Sequence, residues 1–575
     1  MRHSFISALL ASVLGAGVGC GTTLDIAVRN TFNGEPVLLD SLRYQNAAGE
    51  TLSVTRLSFL LSGFAIERED GNWVELANQY AWLDAAKRRT TVRLDGVPGG
   101  NYRALRFHVG PDAAANAADP AVYPPEHPLN ANLNSLHWSW QGGYIFMAIE
   151  GLFRTNPADL QGYAYHLARD PQRTRISLAA PLDLTHDAAV LLDFDLGTLL
   201  NAPRPLSFAK NGSATHSRDG DPIAAALVAN LPGAFRVTQV ISAAPAISLP
   251  TPLKPLYLPE KFTPYHFTMS ATFPLPDLPR DNPLIEERVA LGKALFSETA
   301  LSRDRTLSCS SCHQAAAAFA DPRQFSLGVR GQVGTRNAMP LFNLAWKTSY
   351  FWDGRAPSLR AQALMPIQDH AEMDETLERV TAKLSAMPTY QPLFLAAFGA
   401  PEITAERIGL ALEQYLLTLT AYDSKFDQAL RGKAELSDDE KRGFELFMTE
   451  YEPRTGQRGA DCFHCHGGPL FSDHQFHNNG LVPNANDPGR LRVTKSEADR
   501  GKFATPSLRN VARTAPYMHD GRFATLEKVV AHYSSGVQRS ATLDPNLAKH
   551  PEAGLQLSAA EQHALVAFLK TLSDE

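Results

Sequence analysis

Two short runs constrain this 575-residue chain more than anything else in it: Cys309-Ser310-Ser311-Cys312-His313 and Cys462-Phe463-His464-Cys465-His466. C-x-x-C-H is the attachment pattern of c-type haem, in which two thiols form thioethers to the porphyrin and the adjacent histidine ligates iron. Four of the five cysteines lie in these motifs, which leaves no thiols for the disulfide framework common in exported proteins. The reading is two covalent haems, attached through Cys309, Cys312, Cys462 and Cys465, with His313 and His466 as axial ligands. Any fold for this chain has to wrap two porphyrins.

The remaining cysteine, Cys20, closes an N-terminal segment with Arg2 and His3 ahead of an apolar run from Phe5 to Val18. That layout predicts a signal peptide over 1–20, with Cys20 in a lipoprotein-like box as the candidate lipid anchor, and hence a periplasmic protein. No later stretch reaches the roughly 18 apolar residues of a transmembrane helix. A net charge of −6 and the absence of basic runs argue against a nucleic-acid partner.

Periodicity divides the rest. From 21 to 248, short runs such as "LDIAVRN", "NYRALRFHVG", "GYAYHLA" and "AVLLDFDLG" alternate apolar and polar residues between Gly, Asp, Asn and Pro, the pattern of an antiparallel all-β sandwich or barrel. A proline-rich linker covers 249–279. Beyond it, "NPLIEERVALGKALF", "AERIGLALEQYLLTL" and "SAAEQHALVAFLKTL" carry apolar stripes at helical spacing. The expected architecture is therefore multidomain: the β domain, followed by two mainly α-helical cytochrome c-type haem domains over 280–432 and 433–575.

Within the helical half, "LGKALFSETALSRDRTLSCSSCH", "GTRNAMPLFNLAW", "YFWDGRAPSLRAQALMPIQDHAEM" and "TPSLRNVARTAPYMHDGRFATLEKVVAHY" resemble the bacterial di-haem cytochrome c peroxidase/MauG superfamily. The resemblance implies that His313 is the proximal ligand of the peroxide-reacting haem and His466 that of the second. It makes Gln362 and Glu372 the distal acid/base pair, and a carboxylate there can take a proton from peroxide and return it to the leaving oxygen. It makes Trp352 a redox relay between the haems, and Asn337, Thr514 and Pro516 the oxygen ligands of an inter-haem calcium.

Two departures mark a subfamily. Where the peroxidases carry a distal histidine in Ser-x-Gly-His, this chain reads Ser326-Leu327-Gly328-Val329, and valine cannot ligate iron. The peroxidases' methionine ligand to the second haem aligns with Tyr533, as in MauG-like enzymes, with Met518 the alternative. A tyrosine oxygen favours ferric and higher iron. Both departures point to oxidation of a protein side chain at long range.

The N-terminal half, through "RLSFLLSGFAI", "GVPGGNYRALRFHVG", "LHWSWQGGYIFMAIEG" and "GYAYHLA", resembles the MbnP-type periplasmic copper-binding proteins. In that system a separate MauG-like enzyme, MbnH, oxidises a tryptophan to kynurenine to create a copper ligand. The resemblance implies copper at His166 and His216, with His137 a weaker candidate, and makes Trp138 or Trp140 the oxidised residue, Trp138 favoured. The expected function is peroxide-dependent oxidation of that tryptophan, within one chain or between two. One alternative is a cytochrome c peroxidase fed by a small periplasmic electron-transfer protein; another is a copper store whose haems only relay electrons. Candidate partners are hydrogen peroxide, copper, that carrier, and a second copy of the chain.

Overall fold

The computed structural model describes residues 22–574, apart from 88, 139–141, 157–159, 243–255, 271, 272, 275, 277, 452–456, 482–485 and 551–553. The expected signal segment with Cys20, the first residues of the linker, and Trp140 therefore lie outside the described residues. Among those described, no helix is long and apolar enough to cross a membrane.

Ten long strands build the N-terminal half: β1 (Thr22–Phe32), β2 (Arg56–Arg68), β3 (Trp73–Asp84), β4 (Thr91–Val97), β5 (Asn101–Val109), β6 (Ile145–Arg154), β7 (Gln161–Ala168), β8 (Thr174–Asp183), β9 (Ala188–Asp195) and β10 (Phe235–Ser242). One sheet runs β10–β9–β1, with β4 also on β1; the other runs β8–β5–β2–β6–β7, with β3 on β2. The alternation read from sequence places Leu24, Ile26 and Val28 of β1 inside, at 0–3% exposure. Between the sheets the rings of Phe59, Phe194, Phe235 and Phe107 pack with centroids 4.6–5.3 Å apart.

The pairing departs from a purely antiparallel sandwich. β1 and β9 run parallel, Leu24 opposite Ala188 through Thr31 opposite Asp195. A second parallel contact joins β7 to the two-residue strand Ala214–Thr215. Both connect segments far apart in sequence, so no hairpin turn could announce them. A helix within this half, α1 (Pro222–Ala234), starts at the Asp221 cap with proline in its first turn.

The second half is helical, and its two units repeat one device. The helix ahead of the first motif, α2 (Glu286–Phe296), crosses α4 (Ala405–Leu417), with α3 (Leu359–Gln368) packed alongside α4. The helix ahead of the second motif, α5 (Asp438–Met448), crosses α8 (Ala559–Lys570), with α6 (Leu526–Ser535) against the latter. At each crossing a glycine removes the side chain. A Cβ on Gly292 would sit 2.0 Å from the Ala411 carbonyl, and one on Gly443 1.9 Å from that of Ala564. Backbone meets backbone, which draws the helices together under each haem motif.

The halves also share a wall. The short helix α7 (Pro545–Ala548) lies on β7, and a Cβ at Gly162 would come 2.0 Å from the Pro545 carbonyl. Asn546 Nδ2 donates to Glu150 Oε2 at 3.2 Å, and Ser135 Oγ to the Asp473 carbonyl at 3.0 Å. Because the neighbour at Gly162 is main chain, a larger residue cannot be absorbed by a rotamer change. Gly162→Val is expected to cost about 1–3 kcal/mol, the usual range for overpacking. Thermal unfolding of the holoprotein checks this, with proteolysis at the linker reporting whether the halves separate.

Candidate functional site

Each motif opens onto its own cavity. The first is lined by Cys309, Cys312 and His313 under apolar Phe296, Leu344 and Leu416; the second by Cys462, Cys465 and His466 under Phe447, Val530 and Leu565. None of the four cysteines is paired in a disulfide. Both histidines are held the same way: His313 Nδ1 lies 3.0 Å from the Phe319 carbonyl and His466 Nδ1 3.1 Å from that of Phe471. Both phenylalanines sit in the left-handed region, φ 58° and 50°, which turns their carbonyls back onto the ring. With Nδ1–H donated to the backbone, each imidazole keeps its Nε2 lone pair for a metal. Thiol pair, oriented imidazole and apolar walls fit a covalently bound haem in both cavities.

Of the residues expected on the peroxide side, Gln362 on α3 and Glu372 just beyond it line the first cavity. Burial, reinforced by Asp369, pushes the Glu372 carboxyl up to about 7, where it can both accept and release a proton near neutrality. Val329 is buried, its N–H donates to the Glu372 carbonyl at 2.7 Å, and a Cβ on Gly328 would strike the Ala371 carbonyl. The Ser326–Val329 loop thus braces the segment that carries Glu372.

Trp352 lines both cavities and is 8% exposed, its Nε1–H donating to the Asn337 carbonyl at 2.9 Å. Asn337, Thr514 and Pro516 share the second cavity's wall. Tyr533 on α6 and Met518 line that cavity too, and one amide reaches both: Asn479 Nδ2 is 3.2 Å from the Tyr533 hydroxyl and 3.5 Å from the Met518 sulfur. Burial pushes the Tyr533 phenol up to about 12.

These features decide the family when set beside known proteins. A model for di-haem cytochrome c peroxidase matches residues 286–435, and a model for MbnP matches 21–217. The methylamine utilization protein MauG of Methylorubrum extorquens is 40% identical over 301 residues, spanning 52% of this chain and 81% of that protein. The chain belongs to the di-haem cytochrome c peroxidase family. The cytochrome c551 peroxidase of Nitrosomonas europaea is 34% identical over 312 residues, 53% of this chain and 86% of that one. A crystal structure described as a MauG-like protein associated with microbial copper homeostasis is 34% identical, covers 54% of this chain and 96% of its own, and superposes with a TM-score of 0.49. This member of the family is thus a di-haem enzyme carrying two haem c groups, with an MbnP-type β domain ahead of it.

That β domain brings its expected residues to the junction with the second motif. His166 lies on β7, and His216 follows the strand Ala214–Thr215 paired beside it, so His166 Nδ1 and His216 Nε2 are 3.0 Å apart. His166 Nε2 faces Glu150 Oε1 at 2.8 Å. Burial pushes His166 down to about 3, so its ring is neutral at pH 7. Trp138 is 6% exposed and stacks on His216, ring centroids 5.6 Å apart. Gly142 N–H donates to the Trp138 carbonyl at 3.0 Å, shortly before β6. His137 stands apart, edge-on to Tyr144 at 4.6 Å, and burial pushes it down to about 4.

Sequence reasoning missed the other side of this junction. His464, between the two haem cysteines, lies 5.2 Å from His166 and 5.3 Å from His216, ring to ring. Glu450, just past α5, faces His216 Nε2 at 2.7 Å and His464 Nε2 at 3.0 Å, and accepts from Lys549. Burial works against the Glu450 charge, but His216, Lys549 and His464 hold the carboxyl well below the usual range. Lys549 also pairs with Asp461 at 3.1 Å. A further buried imidazole, His477 on the second cavity, lies between Asp473 at 2.8 Å and Asp544 at 2.5 Å. Burial is overcome there by the two carboxylates, which hold His477 above its usual range. No spacing rule marks any of these positions.

Lys549→Met would leave Glu450 and Asp461 buried without their cation, at an expected cost of about 3–5 kcal/mol. Denaturant unfolding of the variant measures it, and an unchanged midpoint would show that the carboxylates find other partners.

Proposed function

We propose that this chain is a periplasmic, hydrogen-peroxide-dependent oxidoreductase that converts Trp138 of its own β domain to a kynurenine-type residue and so completes a copper site. The observation that carries this reading is the short line of rings from Trp138 to the second haem motif. Trp138 stacks on His216 at 5.6 Å; His216 is 5.3 Å from His464 and 6.2 Å from Phe463. Those two residues lie between Cys462 and Cys465. A route of that length favours oxidation within one chain.

The haems supply peroxide cleavage and storage of oxidising equivalents. Glu372 takes the first proton of the bound peroxide and delivers it to the departing oxygen, while Gln362 beside it offers a hydrogen bond. Val329 contributes no ligand, so the peroxide pocket needs no prior gating step. Trp352, on the wall common to both cavities, is the conduit between them. Tyr533 would hold the iron of the second haem, with Met518 the alternative, and Asn337, Thr514 and Pro516 would hold a calcium ion. Trp138 loses four electrons overall: two peroxides are reduced to two waters, the indole ring opens with gain of two oxygens, and hydrolysis of the formyl group releases formate.

Peroxide treatment of the holoprotein, followed by mass spectrometry of peptide 132–154, is expected to show a gain of two oxygens at Trp138, less carbon monoxide once deformylated. Trp138→Phe is expected to abolish that product. An unmodified wild-type peptide, or modification confined to other residues, would defeat the reading. Glu372→Gln is expected to slow the reaction of the ferric enzyme with peroxide about 10²–10⁴-fold, the usual worth of a general base. Because the carboxylate is the base, the wild-type rate should rise with pH through about 7, and stopped-flow profiles of the variant should lose that step.

A further inference from the structure

The junction between the halves holds more donors than the β domain provides. Ligand nitrogens of His166, His216 and His464 all lie within 4.8 Å of one another, in buried surroundings. Glu450 Oε2 reaches into the same space, 2.7 Å from His216 Nε2 and 3.0 Å from His464 Nε2. Four ligands at metal–nitrogen distances of about 2.0–2.1 Å in a tetrahedron stand roughly 3.3 Å from one another; the successive separations from His166 to His216 to Glu450 to His464 are 3.0, 2.7 and 3.0 Å. Small shifts of side chains would accommodate an ion.

We infer that His464 and Glu450 of the second haem unit are copper ligands together with His166 and His216 already before Trp138 is oxidised, so that the metal is held between the two halves and not by the β domain alone. The inference rests on the copper reading above and adds to it the enzyme half's share of the ligands.

Three details support a built site. His166 Nε2 lies against the Glu150 carboxylate, the carboxylate–histidine pairing that fixes an imidazole for its metal, and this leaves Nδ1 aimed at the cluster. Glu150 is itself anchored by Arg56 at 3.0 Å and by Asn546 from the opposite half. Among the described residues His216 Nδ1 is buried with no hydrogen-bond partner, so the polar contacts seen for this ring are on the side facing the cluster. Imidazole donors with one carboxylate suit borderline first-row ions, and among divalent ions copper stands highest in affinity. Placing His464 between the haem-attaching cysteines means that copper at this site would touch the same turn that carries the second haem.

The test uses the haem-loaded full chain and its His464→Gln and Glu450→Gln variants, with His166→Ala as a control that disables the β-domain side. Copper is titrated against a chromophoric chelator, and the nitrogen couplings of the Cu(II)-loaded protein are counted by electron paramagnetic resonance. Haem content is checked by absorbance, because His464 lies inside an attachment motif; Glu450→Gln leaves that motif intact. The expected result is one copper per chain, with both junction variants weakened at least 10–100-fold, the loss that even an outer-shell partner causes, and one nitrogen coupling fewer in His464→Gln. Unchanged affinity and couplings in both variants, with binding lost only in His166→Ala, would place the site in the β domain and overturn the inference. Preference for Zn(II) over copper in direct competition would overturn the assignment of the ion. These titrations need no peroxide, so they stand or fall separately from the fate of Trp138.

Discussion

The buried carboxylates at the junction are the constraint on which the arrangement of the two halves depends. Glu150 from the β domain and Glu450 from the second haem unit sit almost wholly out of water, and an ionised carboxylate there is tolerable only with partners at hydrogen-bond distance. Each has partners in its own half, Arg56 and His166 for Glu150 and Lys549 and His464 for Glu450, and one more across the boundary. Glu150 takes Asn546 across the boundary, and Glu450 takes His216 in return. Each half therefore adds a hydrogen bond to the other's carboxylate, and the same exchange sets the histidines, Trp138 and the second haem motif side by side. The glycine at 162 allows the approach; the carboxylates fix its register.

A second constraint acts inside each haem unit. A left-handed phenylalanine turns its carbonyl onto the motif histidine, and a glycine at the helix crossing behind it lets two backbones touch. The device occurs twice with different surroundings, which is how one supersecondary plan supports two different tasks. Around His313 the neighbours are Glu372, Gln362 and a valine loop; around His466 they are a buried phenol, a thioether and an imidazole clamped by two carboxylates. The two motifs thus sit in different environments, with Trp352 on the wall they share.

Much of this was legible in the residues. The C-x-x-C-H runs mark attachment chemistry that tolerates no substitution, and the change of apolar period between strands and helices reports which faces are buried. His166 and His216 were named for one reason and found 3.0 Å apart. What escaped reading is what depends on long-range closure. His464 occupies a spacer position of the haem motif, where any residue satisfies the pattern, so nothing local distinguishes it. Glu450 and Lys549 acquire meaning only once chain segments about a hundred residues apart meet. The parallel pairing of β1 with β9 likewise leaves no turn signature, because alternation specifies a face and not a neighbour.

The closeness of Trp138 to the second motif has a kinetic side. Joining oxidant and target on one chain replaces an encounter between two molecules with a fixed local concentration, so the rate should not depend on how dilute the protein is. It also ties catalyst to product. A buried side chain on the same polypeptide cannot leave, and no second target can take its place. On the proposed reaction, such a molecule would perform its oxidation once and then become the thing it has made, its haems retained after a single use beside the finished site.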